Sequence, residues 1–216
     1  MFQKRFKFKG GAHPKEYKEL SEDKVIEILP PPETVVIPVI QHIGVPAEPI
    51  VQKGDHVLKG QKICEAKGFV SIPMHSSISG EVKAIEERPH AVIGKALSVV
   101  IESDGKDETA SGIQKNSKYD NLTVDELKEH IKEAGLAGMG GAAFPTIVKL
   151  SPPPDKTIDT LILNGAECEP YLTSDARLML EYPEDIINGM TIIAKILGCK
   201  TCYIGIEKNK PDAIRL

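Results

Sequence analysis

The chain has 216 residues, is 41% hydrophobic and carries a formal net charge of −4 at pH 7. That length permits a substantial core in one large domain or two small ones, and the charge, with 5% aromatic residues and no Trp, argues against nucleic acid as a partner. The longest apolar runs, such as residues 97–101 and 161–163, are far too short to span a bilayer.

Residues 1–24 read as an N-terminal arm. Its opening, MFQKRFKFK, alternates Phe with Lys as an edge strand or loose arm does, and lacks the continuous apolar core of a signal peptide. Residues 25–102 read as all-β, with short strands expected at 35–40, 57–58, 62–64, 78–85 and 97–101, punctuated by Gly and Pro. Residues 103–120 are polar, with Ile113 the only aliphatic residue larger than Ala, and read as a linker. The period then changes. Thr123-Val-Asp-Glu126 is a capping box, followed by the apolar face Val124, Leu127, Ile131 and Ala134 and a Gly135 stop. The loop Gly138-Met-Gly-Gly-Ala-Ala-Phe144 has almost no side chains to keep a ligand from its backbone N–H groups. Pro145 suits the first turn of a helix aimed at that ligand, and Lys149 lies one turn on as a partner for an anion. Residues 160–163 predict a buried strand, 183–197 a helix begun by Pro183 and ended by Gly198, and 201–206 a second, parallel strand of a βαβ unit. Asn164-Gly-Ala-Glu-Cys-Glu-Pro170 falls at the carboxyl end of the first strand, where open α/β sheets bind ligands. The glycine loop and this string together suggest a pocket for a phosphate-bearing cofactor. Four cysteines in this length do not make a secreted disulfide framework, and cytoplasmic location is expected. Cys199 and Cys202 form a CxxC with no second CxxC and no nearby His, and read as structural; the His residues show no ligand spacing.

The β half resembles the barrel-sandwich hybrid of lipoyl and biotinyl carrier domains. The resemblance is carried by Val51-Gln-Lys-Gly54-Asp55-His-Val57-Leu-Lys-Gly60-Gln61-Lys-Ile63 and by the later Ser79-Gly80-Glu-Val82. Lys67, the only lysine in the hairpin region where carriers hold their prosthetic group, lacks the Met neighbours of a biotinyl site, and the barrel reads as structural.

Over its whole length the chain resembles the C subunit of the Rnf electron-transport complex. The carrying strings are Phe8-Lys-Gly-Gly-Ala-His13-Pro14, Leu29-Pro-Pro-Pro32, Gln41-His42-Ile43-Gly44, Pro89-His90, the glycine loop and Asn164-Gly-Ala-Glu-Cys-Glu-Pro170. The last two also look like the flavin-binding subunit of respiratory complex I. The expected fold is therefore α+β in two parts: an N-terminal all-β barrel-sandwich hybrid (25–102), the linker (103–120), and an α/β Rossmann-like flavin-binding domain (121–216), incomplete at its C-terminus. The resemblance implies non-covalent FMN contacted by Gly138, Gly140, Gly141, Phe144 and Lys149, with Asn164, Glu167, Cys168 and Glu169 as the facing wall. Ala166 stands where the complex I motif has Asp, and the ferredoxin-like run C-x2-C-x2-C-x3-C-P does not occur in these 216 residues, so two [4Fe–4S] clusters are expected only beyond Leu216. The implied partners are NADH, the other subunits of a membrane complex that pumps ions and, indirectly, ferredoxin, and the implied place is the cytoplasmic face of the membrane. A non-catalytic subunit-docking module and a related soluble cobalamin reductase remain the alternatives.

Overall fold

The computed structural model describes residues 14–113, 119–139 and 142–216; the expected edge strand or arm in the first nine residues lies outside them. Two compact units are formed, one from Leu29–Asp159 with Ile192–Lys200, the other from residues 14–28 with Thr160–Thr191 and Thr201–Leu216.

The first unit contains the barrel: β1 (Thr34–Pro38), β2 (Glu48–Pro49), β3 (His56–Val57), β4 (Lys62–Glu65), β5 (Met74–His75), β6 (Gly80–His90) and β7 (Gly94–Ser103). These make a four-stranded sheet in the order β1-β7-β6-β3 and a three-stranded sheet β2-β4-β5. Ile37 pairs with Val99 and Val35 with Ile101 across β1 and β7, so the alternating apolar positions of the strands fall on one face. Val57, Ile63, Val82, Val99 and Ile101 are fully buried there, with Val39, Ile72 and Ile78 in the same core; each such side chain contributes about 1.5–3 kcal/mol of transfer free energy. The two carrier-like turns meet, since Gly54 N–H donates to Val82 O and Val82 N–H to Asp55 O, both at 2.8 Å. The histidines of the two recognised strings pin loops. His42 accepts from Ile72 N–H and donates through Nδ1 to Ile43 O, while His90 accepts from Val92 N–H and donates through Nε2 to Ile40 O.

Residues 104–110, polar enough to read as linker, are tied to the barrel. Lys59 N–H donates to Glu108 O and Ala110 N–H to Lys59 O, each at 2.9 Å. Ser79 Oγ donates to Asp104 Oδ1 at 2.7 Å and accepts from Glu108 N–H at 2.9 Å, while Asp104 Oδ2 takes His56 at 2.8 Å. The first unit ends with α1 (Val124–Glu133), whose Thr123–Glu126 capping box is present as expected, and the single turn α2 (Thr146–Lys149). Leu127, Leu150 and Ile196 are buried together as a second, smaller core.

In the second unit, β8 (Thr160–Gly165) and β9 (Thr201–Ile206) run parallel, Thr160 opposite Thr201 through to Gly165 opposite Ile206. Where the sequence predicts one helix between these strands there are two, α3 (Ser174–Glu181) and α4 (Pro183–Leu197), with α5 (Pro211–Arg215) after β9. The last residues of α4, from Ile192, belong to the first unit. The thiol of Cys64 is buried and pushed up to about 11 by desolvation; Cys168 and Cys202 are exposed, and Cys199 Sγ lies 3.6 Å from Ile158 O. Among the described residues no helix is long and apolar enough to cross a membrane.

Candidate functional site

The glycine loop hangs from a short antiparallel clasp. Gly138 N–H donates to Phe144 O at 2.8 Å and Thr146 N–H to Leu136 O at 2.9 Å, with a bridge between Ala137 and Pro145. Gly140 and Gly141 lie outside the described residues. Ala143 adopts a left-handed conformation, φ 45°, which a residue with a Cβ rarely takes and which marks a loop held in an unusual shape. Pro145 precedes α2 as its N-cap instead of opening its first turn, and the helix is four residues long. Thr146, Val148 and Lys149 all spend their N–H groups on carbonyls of the clasp or of Pro145. The expectation that α2 aims free N–H groups at an anion is corrected accordingly: a turn this short has little dipole, and three of its four N–H groups are committed. What remains is a side chain. Lys149 is exposed, forms no ion pair among the described residues, and places its ammonium 5.8 Å from the centroid of the Phe144 ring, within cation–π range. A Cβ on Gly138 would lie 3.2 Å from that same nitrogen. The first unit thus brings Gly138, Phe144 and Lys149 together as a position without a side chain, an aromatic face and a cation with no ion pair among the described residues, a set that suits a phosphate and a ring.

The second unit brings the other predicted residues together. Asn164 and Gly165 are still in β8. Asn164 is exposed, and its Oδ1 accepts from Ala166 N–H at 3.1 Å, turning the chain sharply at the strand end. Cys168 and Glu169 are exposed. Glu167 is not: 4% of its surface is exposed, and its Oε1 accepts from Asp175 N–H at 2.8 Å in the first turn of α3. Its Oε2 has no hydrogen-bond partner among the described residues but lies 3.9 Å from Lys18 Nζ and 3.8 Å from Lys210 Nζ. The carboxylate faces inward, toward two cations and a helix start, so its part is to shape the loop.

Sequence reasoning missed the residues that hold this loop. Lys18, 4% exposed, donates to Glu167 O at 2.6 Å, to Glu169 O at 3.1 Å and to Leu172 O at 2.7 Å. An ammonium has three donors, and all are used. Around it, Tyr171 N–H donates to Glu16 O at 2.7 Å, the Tyr17 and Tyr171 rings stack with centroids 5.0 Å apart, and the hydroxyls of Ser21 and Thr173 meet at 2.9 Å. Farther along, Arg177 Nη1 donates to Glu22 O and Ile26 N–H to the Glu181 carboxylate. Nothing local distinguishes Lys18 within Lys15-Glu-Tyr-Lys-Glu-Leu20; its partners lie some 150 residues away.

Comparison with known proteins divides the chain in sequence differently from the two compact units, since one family model covers residues from both. Residues 6–106 match the family model described as the RnfC barrel sandwich hybrid domain, and residues 131–216 match that described as the Nuo51 FMN-binding domain. The chain is 52% identical to the C subunit of the proton-translocating ferredoxin:NAD(+) oxidoreductase complex of Clostridium ljungdahlii, over 96% of this chain and 45% of that protein. It is 48% identical to the C subunit of the Na(+)-translocating ferredoxin:NAD(+) oxidoreductase complex of Acetobacterium woodii, over 96% of this chain and 47% of that one. It is 43% identical to the C subunit of the ion-translocating oxidoreductase complex of Rhodobacter capsulatus, over 97% and 40%. The chain thus spans somewhat less than half the length of these relatives. A barrel-sandwich hybrid domain followed by an FMN-binding domain, in that order and at this identity, places the chain in the family of C subunits of the ion-translocating ferredoxin:NAD(+) oxidoreductase complexes, the Rnf complexes.

Proposed function

We propose that this chain supplies the flavin-binding portion of an NADH–ferredoxin electron-transfer subunit in a membrane-associated, ion-pumping complex. The observation that carries the proposal is that one FMN-binding family model spans residues 131–216, a stretch containing both the glycine loop and the string from Asn164 to Pro170. Non-covalent FMN would be held at its phosphate by Lys149 and by the backbone of Gly140 and Gly141, beside Gly138, whose own N–H is spent on Phe144 O and whose lack of a side chain leaves room for the ligand, and at a ring face by Phe144. Asn164, Cys168 and Glu169 are assigned as further contacts, Asn164 to a hydroxyl or ring edge, and Glu167 sets the shape of their loop. FMN bound there supplies the chemistry, taking a hydride and releasing electrons singly. The chain's own residues bind and orient it: the Lys149 cation neutralises the phosphate, and bare loop backbone lets the ligand approach closely. The β8–β9 pair with α4 between them is the beginning of a Rossmann-like sheet. NADH is the hydride donor and ferredoxin an indirect partner. Two [4Fe–4S] clusters belong to parts of the protein outside these residues, and the whole lies on the cytoplasmic face of the membrane against the other members of the complex.

The test is FMN binding by the intact protein, read as visible absorption and as quenching of FMN fluorescence, in the wild type and in Gly140→Val. A β-branched side chain in the middle of the bare loop blocks backbone approach, and binding is expected to be lost. If Gly140→Val keeps its flavin at wild-type affinity, the loop is a structural turn and a docking module becomes the better reading.

A further inference from the structure

Two bulky residues of the second unit, Tyr17 at φ 53° and Tyr171 at φ 67°, both sit in the left-handed region, and their rings stack on each other nearly parallel, at 8°. A backbone so placed is unfavourable and persists only where its surroundings hold it there. Lys18, which follows Tyr17 in the chain, is buried. Its ammonium gathers the carbonyls of Glu167, Glu169 and Leu172, which otherwise have no reason to converge: neighbouring carbonyl dipoles repel, and a cation at their focus reverses that. Glu167 is drawn inward by the same charge and by Lys210, and through Asp175 N–H it fixes the start of α3.

We propose that the segment of residues 16–26, acting through Lys18, is the positioning element that holds the loop of residues 164–170 in its cofactor-binding shape. The proposal rests on the flavin reading above and adds residues far from the cofactor motifs in sequence. Lys18 is a positioning residue: it touches the backbone behind Glu167 and Glu169 and acts through them.

The test uses the intact protein with Lys18→Met, which keeps the length and apolar stem of the side chain and removes its donors. Without FMN, amide hydrogen exchange in residues 166–175 should quicken by roughly tenfold or more while the barrel amides stay as they were. FMN affinity should fall by about 10- to 100-fold, the scale set by losing charge-assisted hydrogen bonds. The visible circular dichroism of the flavin that still binds should change, a signature of altered loop geometry that lowered stability alone does not produce. Adding Glu167→Gln to Lys18→Met should not restore binding, because the carbonyls stay without their cation; restoration would make Lys18 a mere counter-charge and overturn the proposal. Should Lys18→Met fail to fold, Tyr17→Gly takes its place, since glycine accepts φ 53° and only the stacked ring is lost. Its expected effect is a weaker flavin complex with altered dichroism, and wild-type behaviour would count against the segment. Wild-type affinity, exchange and dichroism in Lys18→Met overturn the positioning role and leave the flavin reading standing. A wild-type protein that takes up no FMN overturns the flavin reading, and this role with it.

Discussion

The contact between Gly138 and Lys149 allows the phosphate-binding role to be tested by two substitutions that should not add. A Cβ at Gly138 would stand 3.2 Å from Lys149 Nζ. Valine methyls reach about 1.5 Å beyond Cβ, so in Gly138→Val the ammonium must retreat by about 2 Å to keep an ordinary contact distance. Moving a charge from about 3 to about 5 Å from a phosphate costs about 0.5 kcal/mol at the dielectric of water and about 2 kcal/mol at that of a protein surface. That is roughly 2- to 30-fold in Kd. Lys149→Ala removes the contact outright, about 1.5–3 kcal/mol or roughly 10- to 150-fold. If Gly138→Val acts by displacing the ammonium, it costs almost nothing further once Lys149 is Ala, and the double variant binds FMN as Lys149→Ala does. Fluorescence titration of FMN against wild type, both single variants and the double variant closes the cycle, with thermal melts confirming that each is folded. Losses that add to within about 0.5 kcal/mol would show two independent sites of action and refute the reasoning, as would a Lys149→Ala protein that binds as tightly as wild type.

Two further predictions concern the barrel. The carboxyl of Asp104 is held down at about 2 by Lys106 N–H, the Ser79 hydroxyl and His56. Because the folded value lies below the unfolded one, the stability it contributes is complete above the usual value of 3.8 and is lost as pH falls from there through about 2; melting temperature against pH should flatten across that window in Asp104→Asn. Gly80→Ala would put a Cβ 1.9 Å from Glu102 O and 2.8 Å from its carbon, inside the rigid β6–β7 pair where neither strand can yield, so a loss of about 3 kcal/mol is expected in a urea titration; stability within error of wild type would show that the strands part more easily than their pairing implies.

Much of the architecture is carried by local signals. The Thr123–Glu126 box and the span from Pro183 to Leu197 are legible because cap, period and stop agree within one segment. The barrel is legible through its turns, since Gly54-Asp55 and Ser79-Gly80 mark where strands must reverse. Two-residue strands such as β2 and β5 are too short to show alternation. Helix α3 escapes notice for a different reason: Thr173 does not cap it with its own side chain, and the acceptor at its first turn is the Glu167 carboxylate eight residues back. Residues 104–110 read as linker because they bury no apolar surface, yet their hydrogen bonds to Lys59 and Ser79 attach them to the barrel. The chemistry-bearing residues of the candidate site stand out as types, Lys149 beside bare glycines and Asn164 at a strand end. The direction in which Glu167 points is set by Lys18 and Lys210, and no window of sequence contains all three.

The junction between the barrel and α1 bears on how such a gene can be cut and rejoined. Lys62 Nζ reaches Glu65 on its own strand and Glu133 on α1, at 2.7 Å each. Gly135 passes so close to Pro73 that a Cβ would lie 2.5 Å from its carbonyl oxygen, and Ala137, at the root of the glycine loop, packs against the barrel core. A barrel severed after the polar stretch would leave Lys62 without Glu133 and part of its core open to water, while the loop would lose the floor on which it stands. The barrel and the root of the glycine loop therefore support each other, and a cut between them exposes surface on both. The compact unit that holds these contacts runs to Asp159 and also takes in Ile192–Lys200, whose Ile196 is buried with Leu127 and Leu150, so no single cut in the chain frees it intact.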